Sequence, residues 1–300
     1  MKLMKTWAGL SKKKTDMNIL ISSNDGYVMP TMVMLESLFS SNTGKTDVYM
    51  LEANLSDDND TRIKELVELR GGNYHRIKVD EDLFEDARTR SYISKETYYR
   101  LLACELLPAD MERILWLDGD IIVRRDISSF YEMPFEGKAV IACGYGEAMS
   151  ELISDNAQKI DMKDPGHYFN AGVMLMDMKR CKDLVGTDKI EALTDKGERD
   201  FLFPGQDLCN LVFDGEVKMA DYRFYNCMIH CISDEEDLRY AKENACIVHF
   251  PGEAKPWKFS DIHFADEWIE YYRKCFKDAP EPRRMSYFRL KALFERQKTK

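Results

Sequence analysis

Arg113-Ile114-Leu115-Trp116-Leu117-Asp118-Gly119-Asp120-Ile121-Ile122-Val123 is the stretch on which the reading of this chain turns. An apolar run of strand length ends in two carboxylates and resumes at once as a second apolar run. The acids therefore stand at the end of a buried strand and not on a solvated helix face. Like charges in apolar surroundings are costly unless a cation compensates them. Aspartate oxygens suit a hard divalent ion, Mn²⁺ or Mg²⁺. An Asp-x-Asp triplet alone is equally compatible with a tight turn, so the reading depends on what the rest of the chain supplies.

Upstream, Asn18-Ile19-Leu20-Ile21-Ser22 reads as a strand, Asn24-Asp25-Gly26 as a turn, and residues 30–41 as an apolar-periodic helix. Residues 48–51 repeat the strand signal, Ser56-Asp57 opens an amphipathic helix that stops at Gly71-Gly72, and residues 75–79 form a third strand. Residues 97–107 are apolar nearly all round and predict a buried helix before the strand at 113–117. This alternation predicts an α/β fold, a mixed, mostly parallel sheet flanked by helices, with a Rossmann-like N-terminal half. Downstream, strands are expected at 139–142, 173–176 and 247–248, and helices near 179–194, 206–213 and 265–276. In such sheets ligands bind beyond the carboxyl ends of the strands. By that rule His249, directly after Cys246-Ile247-Val248, joins the acids as a metal ligand, and an imidazole favours Mn²⁺ over Mg²⁺. Gly252 and Lys255 follow in the same short loop, and Lys255 can neutralise a phosphate beside the metal.

The 300 residues suit one large domain, expected over 17–280, preceded by a disordered leader at 1–16 and followed by a tail at 281–300. A net charge of −10 argues against nucleic-acid binding, so a small anionic ligand needs local positive charge or a metal. The eight cysteines are scattered through apolar runs and predict no disulfide framework; Cys227, His230 and Cys231 have poor spacing for a metal site. No signal peptide and no run of eighteen apolar residues is present, which predicts a cytoplasmic protein. Arg283, Arg284, Arg289, Lys291, Arg296, Lys298 and Lys300 face a single acid, Glu295, and Tyr287, Leu290 and Phe294 fall at helical spacing. Such a basic amphipathic helix can lie peripherally on the inner face of the cytoplasmic membrane; a solvated or domain-packed helix is the alternative.

Six segments, in order, resemble the family-8 retaining glycosyltransferases of the bacterial lipopolysaccharide galactosyl- and glucosyltransferase type, to which glycogenin is more distantly similar. They are Ile19 to Tyr27, Thr97 to Leu101, Leu115 to Asp120, Tyr168 to Val173, Gln206 to Asn210 and His249 to Trp257. The resemblance implies a GT-A fold, a UDP-sugar donor carrying glucose or galactose, Mn²⁺ as cofactor, and a glycan or glycolipid acceptor. It places uracil and ribose against Ser22, Asn24, Gly26 and Tyr27, and the metal between Asp118, Asp120 and His249. The diphosphate falls near Arg100 and Lys255, with Gly119 and Gly252 in the same donor site. Asn170, Gly172, Gln206 and Asp207 surround the transferred sugar, with Asn170, Gln206 and Asp207 as the catalytic group. Asn24 and Gly26 stand where relatives often carry Asp and Asn, Gly205 stands where many carry an acid, and residues 143–164 show no similarity to the family. A sugar-nucleotide-binding scaffold without turnover is the competing class. A nucleotidyltransferase would want a glycine-rich phosphate loop after the first strand, where only Gly26 is found.

Overall fold

A computed structural model describes residues 14–80, 95–186 and 201–290. Its centre is a seven-stranded sheet in the order β3-β2-β1-β4-β7-β6-β8. The strands are β1 (Met17–Ser22), β2 (Thr46–Glu52), β3 (Asn73–Lys78), β4 (Arg113–Leu117), β6 (Val140–Cys143), β7 (Asn170–Asp177) and β8 (Val217–Ala220). A second sheet, β5-β10-β9, joins β5 (Ile121–Val123), β10 (Ile247–His249) and β9 (Cys227–Met228).

β3, β2, β1 and β4 run parallel, the arrangement expected of a Rossmann-like half. β7 pairs antiparallel with both β4 and β6, and β8 is parallel to β6, so β7 alone runs against the other six. Ile19, Ile21, Leu115 and Leu117 face one core cluster, and Leu20 and Trp116 face another. Burial on both faces explains why these strands read as unbroken apolar runs.

The helix Val28–Ser41 is buried on nearly every side, between β5 and the helix Ala265–Cys275, and Pro30 sits in its first turn, where no donor is lost. Its buried Glu36 is compensated by Arg70, whose Nε lies 2.9 Å from the carboxylate. The helix Asp57–Leu69 begins with Asp57, Asp58 and Asp60, which suit the positive end of its dipole, and gives way to Gly71 at φ 81°.

Residues 97–107 depart from the single buried helix expected there. Lys95–Leu102 is a 3₁₀ helix that passes into one α-turn, Ala103–Leu106. Thr97, Tyr98 and Tyr99 are poor helix formers, and Pro108 stops the element. The helix expected at 179–194 is present as Met178–Leu184, and residues 187–194 lie outside the described residues. Helices Ser150–Lys159 and Glu235–Asn244, together with β8 and β9, were not anticipated from the sequence. All eight cysteines are free thiols.

Of the leader, only residues 14–16 are described; Thr15 is buried and its hydroxyl donates to Glu132 at 2.9 Å. In the tail, Met285 bridges to Phe259, and Asp261 accepts from the Ser286 hydroxyl and the Tyr287 N–H, both at 2.6 Å, and from the Phe288 N–H at 3.3 Å. Residues 291–300, with Phe294 and the last basic side chains, lie outside the described residues. No helix among the described residues is long and apolar enough to cross a membrane.

Candidate active site

Three local features of the chain converge at the carboxyl edge of the large sheet. The first is the Asp118-Gly119-Asp120 link, which leaves β4 in one sheet and enters β5 in the other within three residues. The second is β10, which pairs antiparallel with β5 so that His249 stands opposite Ile121, and the Phe250 N–H donates to the Asp120 carbonyl at 3.0 Å. The third is the reversal of β7, which brings its first residues to the end of β4; the Asp118 N–H donates to the Gly172 carbonyl at 2.9 Å.

Asp118, Asp120 and His249 accordingly present one ligand atom each within 4.8 Å of one another, the three-residue group expected from the sequence. Asp120 is 7% exposed and His249 2%. Among the described residues no such group includes Cys227, His230 or Cys231.

The hydrogen-bond network fixes the tautomer of His249. The Gly172 N–H, which can only donate, reaches Asn170 Oδ1 at 3.0 Å, so that oxygen is an acceptor. Asn226 must then offer its amide nitrogen to the same oxygen, at 2.9 Å, which turns its own Oδ1 toward His249 Nδ1, also at 2.9 Å. Nδ1 thus carries the proton in the neutral ring, and the lone pair of Nε2 faces Asp120 Oδ1 at 3.4 Å. Two acceptors aimed at each other call for a cation between them. Two carboxylates and an imidazole held by a second residue form a donor set that fits Mn²⁺ or Mg²⁺.

Positive charge already surrounds the acids. Lys255 Nζ is ion-paired with Asp120 Oδ2 and donates to the Phe250 carbonyl at 2.7 Å. Burial alone would push the Asp120 carboxyl up, but the Lys255 ammonium paired with it opposes burial, and the group is held well below the usual carboxylate range. Arg100, buried against the face of Trp116, lies 3.1 Å from Asp118 Oδ1 and also donates to the Ala171 carbonyl. The Trp116 Nε1–H donates to the same Asp118 oxygen at 2.7 Å. Arg100 therefore meets the site through Asp118 and the start of β7.

The glycines explain how closely these parts approach. A Cβ on Gly172 would collide with His249 Cε1 and stand 2.9 Å from Asp118 Oδ2; one on Gly119 would meet Thr31 Oγ1 at 2.7 Å. Gly252 has φ 75°, a left-handed turn that suits glycine at the head of the Lys255 loop. Tyr27 packs edge-on against Trp257 with ring centroids 5.7 Å apart; burial, then Asp120 and Asp118, push its hydroxyl well above the usual tyrosine range. Ser22 ends β1 and donates to the Leu51 carbonyl at 2.7 Å; in the turn that follows, a Cβ on Gly26 would lie 3.3 Å from Asn24 Oδ1.

Beside the metal group lies a second network on the helix Pro204–Val212. Gln206 Oε1 accepts from the Tyr145 hydroxyl at 2.8 Å and from Asn170 Nδ2 at 3.0 Å, and Gln206 Nε2 donates to the Tyr168 hydroxyl at 2.8 Å. Asp207 is turned the other way, fully buried. It accepts from the Tyr168 hydroxyl, from Asn156 Nδ2 at 2.7 Å and from the Phe203 N–H at 2.8 Å. Burial pushes the Asp207 carboxyl up, against these three donors.

Sequence reasoning missed Asn226, Tyr145, Tyr168 and Asn156. Tyr145 was within reach of the strand-end rule, because it follows β6 closely. Asn226 gave no signal, since the strand it precedes is two residues long. A cavity of about 450 Å³ lined by Asn18, Tyr49, Asp110 and Arg113 lies at the opposite, amino edge of the sheet and shares none of these residues.

The comparisons agree with this geometry. The chain is 26% identical over 278 residues to general stress protein A of Bacillus subtilis, covering 87% of this chain and 94% of that one. It is 24% identical over 274 residues to a lipopolysaccharide 1,2-glucosyltransferase of Escherichia coli, covering 88% and 78%. The crystal structure of the galactosyltransferase LgtC in complex with donor and acceptor sugar analogues superposes with a TM-score of 0.74 at 25% identity, covering 88% of this chain and 98% of that one. The architecture is therefore that of the GT-A glycosyltransferases, as the sequence implied. Residues 18–261 match glycosyl transferase family 8, and the chain belongs to that family.

Proposed function

We propose that this glycosyltransferase moves a hexose, glucose or galactose, from a UDP-sugar to a hydroxyl of a glycan or glycolipid, with Mn²⁺ bound and the anomeric configuration retained. The observation that carries the proposal is the pair of lone pairs on Asp120 Oδ1 and His249 Nε2 facing each other 3.4 Å apart beside Asp118.

Mn²⁺ held by Asp118, Asp120 and His249 would supply Lewis-acid stabilisation of the departing diphosphate. The remaining roles belong to the protein. As the anomeric C–O bond breaks, negative charge grows on the diphosphate, and Lys255 and Arg100 provide positive potential on that side. Ser22, Asn24, Gly26 and Tyr27 form the turn that receives uracil and ribose, where the Asn24 amide can both accept from and donate to the base. Gly119, Gly172 and Gly252 let the backbone approach the donor closely. Gln206 and Asn170 offer amide groups to the sugar as it becomes cation-like. Asp207 steadies that arrangement from behind, through Tyr168 and Asn156. Lipopolysaccharide or another surface glycan is the acceptor class that fits the relatives, and the protein would meet it from the cytoplasm, with residues 283–300 as a peripheral membrane contact.

Release of UDP from UDP-glucose or UDP-galactose in Mn²⁺ is the expected activity, and Asp120→Ala should lower it at least 100-fold. The same donor at about a hundred times its Kd should stabilise the fold by about 2.7 kcal/mol. Stabilisation without turnover on any acceptor would favour a binding protein. The absence of both would remove the donor assignment.

A further inference from the structure

The Lys255 ammonium is buried, and its partners are Asp120 Oδ2 and the Phe250 carbonyl. Asp120 is also the acid whose other oxygen faces the bare nitrogen of His249. A metal ion entering between Asp120 and His249 must therefore share Asp120 with a cation already seated on it. Two positive charges on one buried carboxylate repel strongly, because little water screens them. The ammonium can retreat. It ends a flexible four-carbon stem and can swing while the backbone stays fixed, since the Lys258 and Phe259 N–H groups both donate to the Lys255 carbonyl at 2.9 Å. A retreating ammonium leaves a buried ion pair and needs another anion, and a nucleoside diphosphate beside the metal supplies one.

We infer that Lys255 is the metal's competitor at Asp120 in the nucleotide-free protein and becomes the diphosphate's partner once nucleotide binds, so that metal and nucleoside diphosphate bind cooperatively through one lysine. The inference rests on the metal and donor reading above and adds a direction that reading does not contain: removing Lys255 should strengthen metal binding in the absence of nucleotide. Because binding linkage is reciprocal, the lysine must raise the affinity of each ligand in the presence of the other by the same factor.

The test is a titration of the 300-residue chain with Mn²⁺, with free Mn²⁺ read by electron paramagnetic resonance, with and without UDP. It compares wild type with Lys255→Met and with Lys255→Arg, which keeps the charge. Lys255→Met should bind Mn²⁺ alone at least fivefold more tightly than wild type. The factor by which UDP tightens Mn²⁺ binding should fall at least fivefold in the same variant. Lys255→Arg should stay within about twofold of wild type for Mn²⁺ alone. A second readout covers impaired folding of Lys255→Met: Mn²⁺ alone should raise its melting temperature by more degrees than it raises that of wild type. Unchanged or weaker nucleotide-free Mn²⁺ binding by Lys255→Met, with wild type binding the ion normally, overturns this inference alone. No Mn²⁺ binding by any variant, with or without UDP, overturns both it and the metal reading.

Discussion

Because the Gly172 N–H commits Asn170 Oδ1 to accepting, and Asn170 in turn orients Asn226, the neutral ring of His249 has only one way to carry its proton. A residue that never touches the ion thus decides whether His249 can ligate it. Asn226→Leu is expected to weaken Mn²⁺ binding by about 10- to 100-fold, the usual effect of losing such an outer partner. Calorimetric titration in the presence of UDP would check this, and an unchanged affinity would break the chain of reasoning. Gly172 carries a steric requirement as well. In Gly172→Ala the new methyl falls on His249 and Asp118, so UDP release should disappear, while overpacking costs about 1–3 kcal/mol of stability. A melting curve beside the activity assay separates the two effects, and retained turnover would mean that the site can widen.

At the scale of elements, the C-terminal turn shows how a local bond can hold a segment to the domain. Asp261 accepts from Ser286, Tyr287 and Phe288, and although burial pushes its carboxyl up, these donors outweigh burial and hold it below its ordinary value of 3.8. A carboxyl whose pKa is depressed on folding contributes stability above 3.8, and the contribution is lost as the pH falls through the folded value. Amide exchange at Tyr287 and Phe288 should therefore stay slow relative to the intrinsic rate at neutral pH and lose its protection on acidification below 3.8. Asp261→Asn should show the unprotected behaviour already at neutral pH. Equal protection in both proteins would mean that the Phe259–Met285 bridge holds the turn unaided.

Which elements could be read in advance follows the same physics. β1, β2, β4, β7 and β10 are apolar runs buried on both faces, so periodicity and the residues at or just beyond their ends located Asp118, Asp120 and His249. β3 is largely exposed and was found one or two residues out of register with its true bounds. β8 and β9 are held by their neighbours in the sheets and carry too few residues for any period. The helix Ser150–Lys159 buries only Ile153, Asn156 and Ala157, too thin an apolar stripe to stand out from a polar segment. The same limit applied within the site. Gln206 and Asp207 are adjacent in sequence, yet consecutive helical residues point in different directions, so Gln206 reaches Tyr145 and Asn170 while the Asp207 carboxylate meets Tyr168 and Asn156.

Taken whole, the molecule keeps its reactive sulfur out of reach. Six of the eight thiols are buried and only Cys246 and Cys275 are half-exposed. Burial pushes Cys209, Cys227 and Cys275 up to about 12, which keeps them protonated and unreactive at neutral pH. Titration of the native protein with a chromogenic disulfide at pH 8 should release no more than the two half-exposed thiols before unfolding, and all eight in guanidinium. Rapid release of four or more would contradict the packing.

The link between β4 and β5 has a consequence for how this chain can vary. It is a ruler of three residues spanning two sheets, each already pinned in register by its neighbours. Adding or deleting one position there would swing a carboxylate to the wrong side of the chain. Length between Leu117 and Ile121 is thus constrained as strictly as composition, whereas the long excursion from Cys143 to Asn170 is tied to the site only where Tyr145, Asn156 and Tyr168 reach it and can change length between those points.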